Sequence, residues 1–292
     1  MFEMLLSPKK AERRPWELFF VGAFYASLSL LLVNWMFSGD PVLSKYSGVL
    51  IVTFTVMFSL PFIYFTIRYE EKKITREKSI RTLLGEHKRA LFAFIWLFLG
   101  FVVAFSFWYI LLSSAQSFQA QVETFCLINR PGNFNECVTQ YGVKSAGVIN
   151  AHAIVPTDRF RIIFSNNLSV LMFTLVFSLI FGAGAIFVLA WNASVIAAAI
   201  GIYSKSNIAA LPSGLCRYMI HGVPEIAAYF IVALAGGIVS TAVIRHEWGT
   251  EKFWEVLEDS LSLVLVAVVV LLIAGVIEVW VTPDIFKNLC MR

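Results

Sequence analysis

Arg217, His221 and Glu225 stand four residues apart in the stretch Arg217-Tyr-Met-Ile-His221-Gly-Val-Pro-Glu225. On a helix that spacing lines all three on one face. A guanidinium, an imidazole and a carboxylate in one stripe could bind an ion, relay a proton or tie helices together. The stretch leads straight into a long apolar run. Ionisable groups are costly inside a bilayer, so they face a protein interior, a cavity or each other. A second carboxylate, Glu278, lies close to the end of the last apolar run, and Asn192 follows the end of an earlier one. These five residues form a predicted polar cluster at one level, read here as the inner-leaflet boundary. Two close carboxylates repel unless a cation joins them, and Arg217 or His221 could supply it. Three roles stay open at this point: a buried structural network, a substrate or ion site, or ordinary interfacial residues. The last draws on Glu225 following Pro224, an arrangement that suits the first turn of a helix.

Other chemistry is not written in the chain. It has no Walker loop, dinucleotide fingerprint, His-Glu-x-x-His or Gly-x-Ser-x-Gly motif. His87, His152, His221 and His246 are scattered, and no pair has metal-ligand spacing. The expectation is no catalytic residue, no metal site, no cofactor and no enzymatic activity. Asn167-Leu-Ser169 and Asn192-Ala-Ser194 match the glycosylation pattern, but both fall at or behind the membrane edge.

The elements that must position the cluster are membrane helices. Apolar residues make up 59% of the 292-residue chain and charged residues 14%, against about 25% charged in soluble domains. The mean hydropathy is +0.77. The formal charge of +4 sits in short basic patches at loop ends and gives no support for a nucleic-acid partner. The expected fold is an all-α, polytopic transmembrane bundle. Apolar runs place six spans at Leu18–Phe37, Ser47–Ile67, Leu91–Leu112, Leu168–Ala190, Pro224–Ile244 and Leu261–Val281. Asn192–Tyr203 is too short to span and reads as an interfacial or re-entrant helix. The first span is too long for a signal-peptide core and lacks a cleavage site, so no cleavable leader is expected.

Short basic loops set the orientation. Lys9, Lys10, Arg13 and Arg14 precede the first span, the 68–90 loop is dense in Lys and Arg, and Lys287 and Arg292 follow the last span. Six spans place these on the cytoplasmic side with Lys205 and Arg217, giving a multi-pass protein of a prokaryotic cell membrane with both termini cytoplasmic. The 70–89 segment mixes Glu and Lys at helical spacing and reads as a solvated helix. The organisation is a three-span region (1–112), an extracytoplasmic loop (113–165) and a second three-span region (166–292). In the loop, Cys126 and Cys137 flank a Pro131-Gly132 turn on the oxidising side. A bridge between them would contribute about 3 kcal/mol by the chain-entropy model. Cys216 and Cys290 fall on the reducing side and are expected free. Gly182, Gly184, Gly236 and Gly237 let helix backbones approach closely, either within the chain or in a homodimer.

From Asn166 on, the chain resembles the stage II sporulation protein M family. The resemblance rests on an ordered set: Asn166-Asn167, Gly182 and Gly184, Asn192, His221-Gly222-Val-Pro-Glu225, Ala235-Gly236-Gly237, and Ile277-Glu278-Val-Trp-Val-Thr282-Pro283. Ile220 stands where many members have Pro. The resemblance implies an integral membrane protein without established catalytic activity. The namesake takes part in engulfment with cell-wall hydrolases, yet many relatives belong to organisms that never sporulate. The expected role is a non-catalytic scaffold or subunit in membrane or envelope remodelling, with membrane lipid and other membrane or envelope proteins as partners. The alternative is a transporter or channel that uses the polar cluster. An intramembrane enzyme is a third reading.

Overall fold

The computed structural model describes residues 8–37, 39–40, 42–71, 80–112, 115–129, 133–141, 156–181, 185–204, 207–245 and 249–285. The described residues are almost entirely helical, with no strand. In chain order the helices are α1 Pro8–Arg13, α2 Glu17–Phe37, α3 Ser47–Glu71, α4 Ile80–Leu112, α5 Gln119–Asn129, α6 Phe134–Tyr141, α7 Pro156–Phe181, α8 Ala185–Tyr203, α9 Leu211–Ile244, α10 Glu251–Val276 and α11 Thr282–Ile285. A π-helical turn, Ile277–Val281, joins α10 to α11.

Hydroxyls inside this apolar bundle bond to their own helices. Ser29, Thr55, Ser59, Thr66 and Ser106, all buried, each donate to the carbonyl four residues back. Close backbone packing joins α2 to α4. A side chain at Gly22 would strike the Leu97 carbonyl, and one at Gly100 would strike the Phe19 carbonyl and the Ala23 amide. The Trp108 indole donates to Ser27 Oγ at 2.9 Å along the same seam. An aromatic core spans three helices: Phe94 stacks on Phe230 at 5.4 Å and meets Phe62 at 6.2 Å.

The all-α membrane bundle is as expected, with one difference in the counting. Among the described residues seven helices are long and apolar enough to cross a membrane, because α8 runs for 19 residues. The stretch read as a short helix is its second half. Hydropathy had joined its first half, Ala185–Ala190, to the preceding span. The chain instead breaks after Phe181, and α7 reaches back to Pro156. Residues 182–184 lie outside the described residues; they are Gly, Ala and Gly, so apolarity does not drop between α7 and α8.

This extra crossing changes which groups share an end of the bundle. At one end, Ile67 of α3 packs on Gly237 of α9, and Ala185 of α8 lies with Phe94 of α4. At the other end, Gly201 of α8 packs on Tyr109 of α4, and Gly214 of α9 packs on Ile200 and Ser204. Gln121 of α5 is buried there and donates to the Gly48 carbonyl at 2.9 Å and to Ser194 Oγ at 3.2 Å. Thus α8 rises from the 68–90 end to the α5–α6 end, α9 returns, and α10 rises again. A left-handed glycine, Gly249 (φ 78°), helps turn α9 into α10, and Thr250 caps α10 by accepting from the Phe253 amide. Consequently α1 and α11 sit at opposite ends of the bundle.

Candidate functional site: a polar cluster at the disulfide end

Cys126 and Cys137 are joined by a disulfide, with Cα atoms 5.8 Å apart and both side chains buried. The bridge ties α5 to α6, the helices that cap this end of the bundle. Cys216, at the start of α9, is also disulfide-bonded. That corrects the expectation of a free thiol and follows from the topology, since the start of α9 lies at the end where the other disulfide forms. Cys290 lies outside the described residues.

The polar cluster sits at this same end, not at the 68–90 end where the six-span reading put it. Two helix irregularities frame it. Pro224 is inside the 34-residue α9 rather than at its first turn, so it denies the helix one backbone hydrogen bond. Glu278 lies in the π-helical turn, an insertion that re-aims side chains and recurs at functional sites. Each irregular helix thus carries one of the two carboxylates.

The geometry brings four of the five predicted residues together. His221 Nδ1 lies 3.3 Å from Thr282 Oγ1, which links α9 to α11. The Tyr229 hydroxyl donates to Glu225 Oε1 at 2.8 Å. Glu225 is within electrostatic reach of Glu278. Arg217 reaches His221 electrostatically and sets its guanidinium 5.1 Å over the Tyr203 ring. Asn192 stands apart in its bonding: its amide donates to the Val188 carbonyl of its own helix at 2.8 Å.

Three members were not singled out from the sequence. Thr282 and Tyr229 each follow a predicted glutamate by four residues, so helical spacing could have found them. Arg159, in the first turns of α7, acts on both His221 and Glu278. No local signal points to it, since the rest of α7 and all of α8 separate it from His221, and α9 and α10 as well from Glu278. The packing behind it is aromatic: Phe160 stacks on Phe164 at 5.8 Å, meets Trp280 at 5.5 Å and lies over Gly275. Among the described residues, no group of His, Cys, Asp and Glu could hold a metal ion.

A second buried polar pair lies at the opposite end. His87 Nδ1 is 2.5 Å from Glu70 Oε2, and both side chains are fully buried. The 70–89 segment is therefore not simply a solvated helix; its two ends are folded into the bundle. Of the expected packing glycines, Gly236 faces Ser178 and Leu175 of α7, and Gly237 faces Ile67 of α3. Ser178 donates to the Ala233 carbonyl across the α7–α9 contact. Both glycines thus serve contacts within the chain. Gly182 and Gly184 lie outside the described residues.

No solved structure matches this chain. An uncharacterized protein of Methanocaldococcus jannaschii is 32% identical over 138 residues, covering 45% of this chain and 76% of that protein. The model of the family described as Stage II sporulation protein M matches residues 90–283. That match starts well before the Asn166 expected from the motifs and takes in α4 to α10 with the disulfide-linked cap. From the fourth helix nearly to its end, then, the chain belongs to the stage II sporulation protein M family.

Proposed function

We propose that this protein is a non-catalytic scaffold or subunit in membrane or envelope remodelling, set in a prokaryotic cell membrane and holding other membrane or envelope proteins. The observation that carries the reading is how the interior is filled. The central helix α9 is buried over 83% of its most apolar window, and the described cavity beside it has room for only about 10 Å³. Its lining is apolar, from Ile63, Phe94, Leu189 and Phe230 among others, and it lies toward the 68–90 end, away from Glu225 and Glu278. A space of that size and polarity offers no path for a solute. By contrast α7 is buried over only 17% of its window.

Orientation belongs to the same proposal. The basic 68–90 loop faces the cytoplasm, and seven crossings put both disulfide-bonded regions and the polar cluster outside. The basic residues of that loop and the bonded state of Cys126, Cys137 and Cys216 support it. Single cysteines at Ala209 and Lys252, probed with an impermeant thiol reagent in intact cells, test it. Labelling at Ala209 alone is expected; labelling at Lys252 alone would reverse the assignment.

The role is tested by purification in mild detergent with identification of co-purifying proteins, beside flux measurements in liposomes. The same envelope protein recovered at fixed stoichiometry supports the scaffold. A solute flux abolished by Glu225→Gln, with no partner recovered, would replace it with transport.

A further inference from the structure

Cys216 is disulfide-bonded, and Cys126 and Cys137 already hold each other. The chain has four cysteines, so one remains to pair with Cys216: Cys290, in the segment that follows α11. The fold leads that segment to the right place. Thr282, the first residue of α11, sets its hydroxyl 3.3 Å from His221 Nδ1 of α9. Cys216 precedes His221 on α9 by five residues, about 7.5 Å of helix. Beyond Ile285, where α11 ends, five residues lead to Cys290, and an extended chain of that length covers about 17 Å. Cys290 itself lies outside the described residues, so its pairing stands on elimination and on this reach, which is ample for the roughly 7 Å between Cα atoms that a bridge allows.

We propose that Cys216 and Cys290 form a second disulfide, which fastens the C-terminal segment to the start of α9 beside the polar cluster. It differs from the first bridge in access. Cys126 and Cys137 are fully buried, whereas Cys216 is only partly so. Attack on a disulfide needs a path to sulfur, so the first bridge is shielded and the second can be opened and remade. On formation the two thiols give up two protons and two electrons. An external disulfide of the oxidoreductase type accepts them and becomes a dithiol. The link holds the seam between α9, which carries Glu225, and the end of the chain just past the turn that carries Glu278. It backs the His221–Thr282 hydrogen bond, which crosses the same seam. The pairing does not rest on the scaffold role, since a scaffold or a transporter could carry it alike.

The test is a peptide map of the full chain, without reductant, from membranes whose free thiols were blocked with N-ethylmaleimide before extraction. Trypsin cuts after Lys205, Arg217 and Lys287, so the bridge should join peptide 206–217 to peptide 288–292. Cys126 and Cys137 fall together in peptide 90–144, because trypsin does not cut Arg130–Pro131, so the two bridges are told apart. In Cys290→Ser, Cys216 should take up the label in full while Cys126 and Cys137 stay joined. Should that variant not fold, the wild-type map decides alone. An impermeant phosphine reductant added to intact cells should free Cys216 and Cys290 before Cys126 and Cys137. A labelled Cys216 in the wild type, or Cys216 joined to Cys126, to Cys137 or to a second copy of the chain, would overturn the pairing. Release of both bridges at one rate would overturn the difference in access. Release of the mapped pair only in opened membranes would overturn the orientation proposed above and leave the bridge standing.

Discussion

The two ends of the bundle hold their polar groups in opposite ways. At the 68–90 end, Glu70 and His87 are shut inside the protein and bonded to each other at 2.5 Å. At the disulfide end, Arg159 acts on His221 and Glu278, and Glu278 on Glu225, but no ion pair closes among them in the described residues, and the helices that carry the glutamates are irregular. The first arrangement is closed within the protein: Nδ1 of His87 meets Glu70, while Nε2 is buried without a hydrogen-bond partner among the described residues. The second is joined through neutral hydroxyls, Tyr229 to Glu225 and Thr282 to His221, with Arg159 exposed beside it. The contrast predicts very different costs for similar-looking substitutions.

The largest effect is expected at the closed end. His87→Ala strands a buried carboxylate and should cost about 3–5 kcal/mol, read as thermal unfolding in detergent. Arg159→Gln at the open end should change stability by no more than about 0.5 kcal/mol, as for an exposed side chain. Equal losses for the two would erase the distinction. Next comes the cap over the open end. Cys126→Ser with Cys137→Ser frees the α5–α6 pair and should cost about 2–4 kcal/mol. If the melting temperature stays put, the cap is not part of the folded core, although Gln121 is buried beneath it.

Within the open cluster, Glu225→Gln and Glu278→Gln should be coupled. Each single change should cost about 1 kcal/mol, and the double mutant should depart from their sum by about 0.5 kcal/mol or more. Strict additivity would mean that the two carboxylates do not form one unit. The smallest effect belongs to Asp40, in the turn between α2 and α3. Its carboxylate accepts from the Leu43 amide at 2.9 Å and the Val42 amide at 2.8 Å, and these bonds hold it below its ordinary value. A carboxyl lowered on folding stabilises the protein fully above its unfolded value and loses that contribution as pH falls through its folded one. Asp40→Asn should therefore be felt at neutral pH and converge with wild type below about pH 4. A difference between the two that persists at lower pH would assign the effect to something other than this carboxylate.

Much of the architecture is legible in the residues alone, because bilayer-spanning helices announce themselves by length and apolarity. The first three spans, the Cys126–Cys137 bridge and the shared face of Arg217, His221 and Glu225 follow from composition, sidedness and helical spacing. The misses have a common cause. The break between α7 and α8 passes through Gly and Ala and costs no hydropathy, so one crossing vanished and the cluster was assigned to the wrong end. The Glu70–His87 pair was hidden among lysines and arginines that look solvated in one dimension. Arg159 belongs to the cluster only because α7 folds back against α9 and α10, and no spacing rule spans that distance. Short-range periodicity finds faces, whereas sites built from three helices need the packing.

The break between α7 and α8 also bears on how the chain enters the membrane. With only three residues between α7 and α8 in sequence, there is little room for a polar stop, which favours entry of the two as a hairpin. Under the proposed orientation, Arg159 and Arg161 open α7 on the side where positive charge is disfavoured in short flanks. Hairpin entry lets the pair settle its orientation together, so these arginines can be left on that side. The least buried of the candidate spans, α7, would then be held during synthesis by its neighbour α8, before α9 exists to pack against either.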